Sequence, residues 1–313
     1  MGGLRYLRRR RKRGPVAFVL SGGGNLGAVQ VGMLRALLEH GIYPDLILGC
    51  SVGAINGAAL ADDPTLRGVD RLDGVWRNVE GRNLMPRNWL PNAVALARRG
   101  EAIHESHGLR KMLEDAIGGR QFRDLAVHFE CVATDVKDVR EVWFNQGPLL
   151  EAILASSAMP ALYPSVEIHG ARYLDGAIVN DVPMSRAVEL GASTLYVLQV
   201  GSFSRPRGEP RRPLDVAVQA YWIARHHRFK RDLDAMPPEV DLHLLPHGQP
   251  PLMRYNDFTR AAELISAAYA ASTDYLEGRG VPDEQLSQTP ATAVDDGGPS
   301  GPRSGVADGV MTP

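Results

Sequence analysis

Short, wholly apolar runs alternate with stretches of helical periodicity through the first two thirds of the chain. Val16-Ala17-Phe18-Val19-Leu20 is such a run. Strands apolar on both faces belong to parallel sheets covered by helices on both sides. A glycine-rich turn, Gly22 to Gly27, comes next. From Ala28 to His40 the residues Val31, Leu34, Leu37 and Leu38 share one helical face, and Gly41 stops the helix. Leu46-Ile47-Leu48 predicts a second strand, and Val52 to Ala61 a second helix. This βαβα order predicts a right-handed parallel unit.

The pattern continues with a short helix at Leu109–Ile117, strands at Phe129–Asp135 and Val139–Asn145, and a helix at Leu149–Ser156. Val166–Ile168 and Arg172–Leu174 read as a hairpin about His169-Gly170-Ala171. A helix over Met184–Leu190 precedes a buried strand, Leu195–Val200. Beyond a Pro/Arg linker at 202–213, helices are expected near Leu214–Leu233 and Asp257–Leu276, with a strand at Val240–Leu245. These later elements make up a helical extension, 201–280, packed on a main domain of 15–200. Between 62 and 108, Trp76, Leu84, Met85, Trp89, Leu90 and Leu96 are scattered among Arg, Asn and Pro. Two readings stand there: a helical layer with loops, or an apolar lid over a site. From 281 onwards Pro, Gly, Ser, Thr and Asp dominate, too little apolar surface to offset ordering entropy, so this tail is expected to be disordered.

A chain of 313 residues that is 44% hydrophobic is long enough for one large α/β domain with tails. The formal net charge of -1 points to no partner, but its distribution does. Arg5 and the run Arg8 to Arg13 make residues 1–14 a basic arm. It reads either as a solvated arm or as a peripheral contact with anionic membrane, worth about 1 kcal/mol per basic residue. No nucleic-acid partner is expected, because no aromatic interleaving or further basic stripe accompanies it. The apolar run Val16–Leu20 is too short for a signal peptide, and no stretch reaches the length of a membrane span. The expected location is therefore cytoplasmic, with peripheral membrane contact through the arm. Cys50 and Cys131 sit in or beside apolar runs and read as buried thiols, Cys50 pointing away from its neighbour Ser51.

The chemistry centres on Gly49-Cys50-Ser51-Val52-Gly53, a G-x-S-x-G between a strand and a helix. Such an elbow exposes the serine hydroxyl on a strained turn, and Gly49 and Gly53 leave room for it. Ser51 is the candidate nucleophile of a serine hydrolase. Oxyanion donors are expected from the turn of Gly22, Gly23, Gly24 and Gly27, whose backbone N–H groups can approach a negative oxygen, and from the amide of Val52. The base is less obvious. His169, His226, His227, His243 and His247 all lie in surface-like or packing contexts, and Asp175-Gly176 is by itself an ordinary turn dipeptide.

Taken in order, Gly22-Gly23-Gly24-x-x-Gly27, Gly49-x-Ser51-x-Gly53 and Asp175-Gly176-Ala177 resemble the patatin-like phospholipase family. Ala133-Thr134-Asp135, Ala155-Ser156-Ser157-Ala158-Met159-Pro160 and Asp181-Val182-Pro183 support the likeness, which covers about residues 15–200. The resemblance implies a three-layer α/β/α sandwich with a mostly parallel central sheet. It implies a Ser51–Asp175 dyad without histidine and without metal or cofactor, and lipid acyl hydrolysis through an acyl-enzyme. The implied substrates are phospholipids, lysophospholipids or simpler fatty acyl esters. One departure stands out: the family's glycine turn usually carries Arg or Lys before its last glycine, where this chain has Leu26. That keeps open a weak enzyme or a lipid-binding, regulatory protein on the same fold.

Gly22-x-Gly24-x-x-Gly27 also fits a dinucleotide fingerprint, but that role needs an acid at the carboxyl end of the second strand. Asp45 precedes that strand, and Ser51 occupies its end. No Gly-Lys-Ser/Thr completes a P-loop, and no ligand spacing suggests a metal site.

Overall fold

The computed structural model describes residues 14–79, 106–160, 162–200, 213–248 and 257–279. The Arg8–Arg13 arm, most of the hydrophobic residues scattered over 62–108, the linker at 202–212 and the tail from 281 lie outside the described residues.

One mixed sheet runs through the molecule. Strands β1 (Val16–Leu20), β2 (Leu46–Cys50), β3 (His128–Asp135), β7 (Thr194–Leu198) and β8 (Asp241–Leu244) are all parallel, in the spatial order β3-β2-β1-β7-β8. Two strands, β4 (Arg140–Phe144) and β6 (Ala171–Asp175), pair antiparallel to β3, and β5 (Val166–Ile168) pairs with β6.

Alternation along β1 divides the core. Phe18 and Leu20 face a cluster built from α1 (Ala28–Glu39), α2 (Val52–Asp62), α3 (Leu66–Arg77), α4 (His107–Ile117), α5 (Leu149–Ser156) and α8 (Ala261–Leu276). Ala17 and Val19 face a second cluster with Met184 and Ala187 of α6 (Met184–Glu189) and Phe229 of α7 (Pro213–Asp234). Helices thus cover both faces, and the chain is a three-layer α/β/α sandwich around a mostly parallel sheet. The apolar character of β1 and β2 on both faces follows from that burial.

Several boundaries move for local reasons. Strand β2 continues past Leu48 through Gly49 and Cys50, because its ladder with β3 needs only backbone, and Cys50 still pairs with Val132. Strand β4 starts at Arg140, since Val139 sits in the turn at φ 50°. Helix α8 starts at Ala261 because Asp257 folds its carboxylate onto the Thr259 amide (3.0 Å). Within the difficult stretch after residue 62, α3 is amphipathic. Val69, Leu72 and Trp76 are buried, and Thr65 caps it by accepting from the Gly68 amide at 3.4 Å. Trp76 is a core residue, not part of a lid.

Candidate active site

Ser51 joins β2 to α2 with φ 53° and ψ -122°, a region that L residues seldom occupy. Its neighbours over-determine that backbone. The Ser51 amide donates to Ser156 Oγ (3.0 Å), and its carbonyl accepts from the Ala54 amide (2.8 Å). A side chain on Gly53 would fall on the Leu20 carbonyl, and one on Gly49 would lie 2.5 Å from the Gly53 carbonyl. Only glycine at both sites allows β2 to turn this tightly into α2.

Asp175 reaches Ser51 through the register of the sheet. Strand β2 lines one edge of β3 and ends with Cys50 opposite Val132. Strand β4 lines the other edge. Beyond Val132, antiparallel β6 takes over the edge that β2 leaves, with Asp175 opposite Ala133. The last residue of β6 therefore lands beside the residue that follows β2. Ser51 Oγ donates to Asp175 Oδ2 at 2.7 Å.

The Asp175 carboxylate is only 2% exposed. Its Oδ1 accepts from the Ala177 amide (2.8 Å), its amide donates to the Ala158 carbonyl (2.9 Å), and its carbonyl accepts from Thr134 Oγ1 (2.8 Å). Burial pushes its pKa up to about 6, and the Asp181 carboxylate pushes the same way. The Ala177 amide, the Ser51 hydroxyl and the Arg225 guanidinium pull it down.

The glycine-rich turn lies beside this pair. A Cβ on Gly22 would stand 3.3 Å from Ser51 Cβ. Residues Gly24–Gly27 form a 3-10 turn that runs into α1. The amide of Gly22 is committed to the Asp181 carbonyl (3.2 Å). To donate to an oxyanion, as expected of it, this N–H would have to leave that carbonyl. The amides of Gly23, Gly24 and Val52 have no hydrogen-bond acceptor among the described residues. Leu26 packs partly buried against the core.

A buried polar network holds the turn from below, and nothing in its spacing announced it. Asn56 donates to the Gly27 carbonyl (2.9 Å) and to Gln30 Oε1 (2.8 Å), and accepts from Trp76 Nε1 (3.0 Å). Gln30 donates on to the carbonyls of Ser21 (2.9 Å) and Leu198 (3.1 Å).

The histidines are elsewhere. His169 is exposed at a hairpin tip, and His226 stacks on Trp222 with ring centroids 5.8 Å apart while His227 is exposed. His243 bonds the Tyr275 hydroxyl (3.1 Å), and His247 Nδ1 lies 2.6 Å from the Gly248 carbonyl. Asp45 pairs with the amide of Val16 (2.8 Å) at the start of β1, the opposite end of the sheet from a nucleotide's place. Cys50 does not simply face away: its thiol lies 3.9 Å from Asp175 Oδ1, and burial holds it protonated. Among the described residues no three His, Cys, Asp or Glu side chains cluster as a metal site.

The model of the patatin-like phospholipase family matches residues 18–188, which span both glycine motifs, Ser51 and Asp175. The chain belongs to this family. Among its patatin-like relatives, the lysophospholipase nte1 of Aspergillus terreus is 30% identical over 195 residues, 62% of this chain and 12% of that protein. A patatin-like phospholipase domain-containing protein of Caenorhabditis elegans is 30% identical over 189 residues, 60% of this chain and 14% of that one. The chain thus aligns with only a small part of these much longer relatives. Among solved structures, VipD from Legionella pneumophila is similar with a TM-score of 0.46 and 14% identity, over 85% of this chain and 67% of that chain.

One feature of this patatin-like site comes from beyond the matched residues. Arg225, on α7, makes an ion pair with Asp181 at 2.5 Å. In the sequence Arg225 looks like one more basic residue in the stretch Arg225-His226-His227-Arg228, which reads as a solvated helix face.

Proposed function

We propose that the chain is a serine lipid acyl hydrolase working through a Ser51–Asp175 dyad. The observation that carries this reading is the 2.7 Å hydrogen bond from a strained, half-buried serine to a buried carboxylate poised near pKa 6. A carboxylate of ordinary pKa is a poor match to a serine hydroxyl, and the raised value improves it.

In the first step Ser51 Oγ attacks the acyl carbonyl carbon while its proton passes to Asp175 Oδ2. The carbonyl oxygen becomes an oxyanion and takes hydrogen bonds from the free amides of Gly23, Gly24 and Val52. The dipole at the start of α2 favours the same negative charge. Collapse of this intermediate breaks the ester C–O bond, and the leaving alcohol takes the proton from Asp175. Water then attacks the acyl-enzyme, with Asp175 again accepting a proton, and releases the fatty acid and Ser51. No histidine is needed, because the acid already touches the hydroxyl.

The substrate class is a phospholipid, lysophospholipid or simpler fatty acyl ester. The family and the lysophospholipase name of a relative support it. No helix among the described residues is long and apolar enough to cross a membrane. Access to lipid would then be peripheral, with the Arg8–Arg13 arm drawn to anionic headgroups. A fluorophosphonate probe tests the nucleophile directly: phosphonylation should map to Ser51 by mass spectrometry and vanish in Ser51→Ala. A label on another residue, or none on folded protein, would overturn the reading.

A further inference from the structure

Asp181 lies at the end of the chain segment that follows Asp175 through the 3-10 turn Gly176–Ile178. Its side chain is 3% exposed and that of its partner Arg225 is 14% exposed. Asp181 bonds Gly22 through its backbone and approaches it closely with its side chain. Its carbonyl accepts the Gly22 amide (3.2 Å), and its Oδ1 would lie 2.6 Å from a Cβ on Gly22. The same Cβ would meet Ser51 Cβ at 3.3 Å and Ala177 Cβ at 3.6 Å. The Asp181 carboxylate, the Ser51 side chain and Ala177 therefore converge on the one side of Gly22 where a side chain would stand, and glycine leaves that space open.

We propose that Arg225 of α7 is a positioning residue of the Ser51–Asp175 pair, acting by holding the Asp181 carboxylate against Gly22. This inference rests on the reading of Ser51 and Asp175 as the reacting groups.

Electrostatics supports the geometry. The groups that act on the Asp175 carboxylate are the Ala177 amide and Asp181 from its own segment, Ser51 and Cys50 from the end of β2, and Arg225 and Tyr221 from α7. Arg225 is the cation in that set and favours the carboxylate, whereas burial and Asp181 favour the neutral acid. Without Arg225, two buried carboxylates would face each other uncompensated.

Fold stability alone accounts poorly for the pair. Arg225 Nε and the buried Tyr221 hydroxyl have no hydrogen-bond partner among the described residues. Buried ions with unmet hydrogen-bonding capacity are costly, and apolar side chains of similar size stabilise as well or better. Residues 18–188 carry the family match, so Arg225 reaches the site from outside it.

The test follows kcat/KM for p-nitrophenyl butyrate against pH in wild type, Arg225→Met, Arg225→Lys and Asp181→Asn, with thermal unfolding of each. Arg225→Met should lower kcat/KM at pH 7 about tenfold or more. Its acid limb should move to higher pH by about half a unit or more. Arg225→Lys, which keeps the charge, should return the limb towards its wild-type position. Asp181→Asn should move the limb the other way, to lower pH, because an anion beside Asp175 is gone. A merely structural pair would change the melting temperature and leave every limb in place, and that result would overturn the inference. Should Arg225→Met fail to fold, Arg225→Gln, neutral but polar, takes its place, with the same move of the limb to higher pH expected and an unmoved limb overturning the inference. Failure of the parent reading shows separately, as wild-type turnover that survives Ser51→Ala.

Discussion

Ser51 Oγ and Asp175 Oδ2 meet at 2.7 Å although the two residues are 124 positions apart in the chain. Their meeting depends on β3, whose one edge pairs first with β2 and then with β6. The nucleophile candidate follows the end of the first partner, and the acid closes the second.

The pH dependence of turnover follows from the state of Asp175. It must be ionised to accept the Ser51 proton, and burial raises its pKa to about 6. On a dyad mechanism, kcat/KM for a soluble ester should therefore rise through an acid limb near pH 6 and stay level above it. A limb near pH 4, the range of an exposed carboxylate, would place the essential base elsewhere.

The same raised pKa carries a stability cost. The folded protein binds the Asp175 proton more tightly than the unfolded chain does, since the pKa climbs from 3.8 to about 6 on folding. Its contribution to stability is thus present in full below pH 4 and is lost as pH rises through 6. Asp175→Asn, neutral at every pH, should be more stable than wild type by on the order of 3 kcal/mol at pH 8, and the gain should vanish as the pH falls below 4. Urea unfolding at the two pH values measures it. Equal stability at pH 8 would mean that the buried carboxylate is not strained by its surroundings.

Asn56 holds three buried groups at once: the Gly27 carbonyl, Gln30 Oε1 and Trp76 Nε1. Asn56→Leu would leave all three without this partner, at a cost of about 2–4 kcal/mol in denaturant unfolding. The glycine-rich turn loses a support in the same change, so ester turnover should fall with it. A loss below about 0.5 kcal/mol would show that the network relaxes without Asn56.

The alternation of apolar strands with periodic helices made the layers legible, because a parallel sheet must be apolar on both faces and β1 and β2 are. The elbow was legible as well, since Gly49, Ser51 and Gly53 are contiguous and the strain is local. What joins distant segments left no local mark. The handover of the β3 edge brings Asp175 to Ser51, yet Asp175-Gly176 alone looks like any turn. Gly22 was expected to donate to an oxyanion, and only the approach of Asp181 shows its amide already engaged. Trp76 looked like a loose aromatic until Asn56 gave its indole nitrogen a partner. Arg225 gave no signal, because a basic residue in a charged helix reads as solvated and its burial depends on an aspartate more than forty residues earlier.

The most direct measurement is hydrolysis of p-nitrophenyl esters from C4 to C16 by wild type, Ser51→Ala and Asp175→Asn, each with its fold verified. A Ser51–Asp175 dyad predicts turnover in wild type and its loss in both variants. Loss in Ser51→Ala with retention in Asp175→Asn would contradict the dyad and direct the search for a base to the histidines.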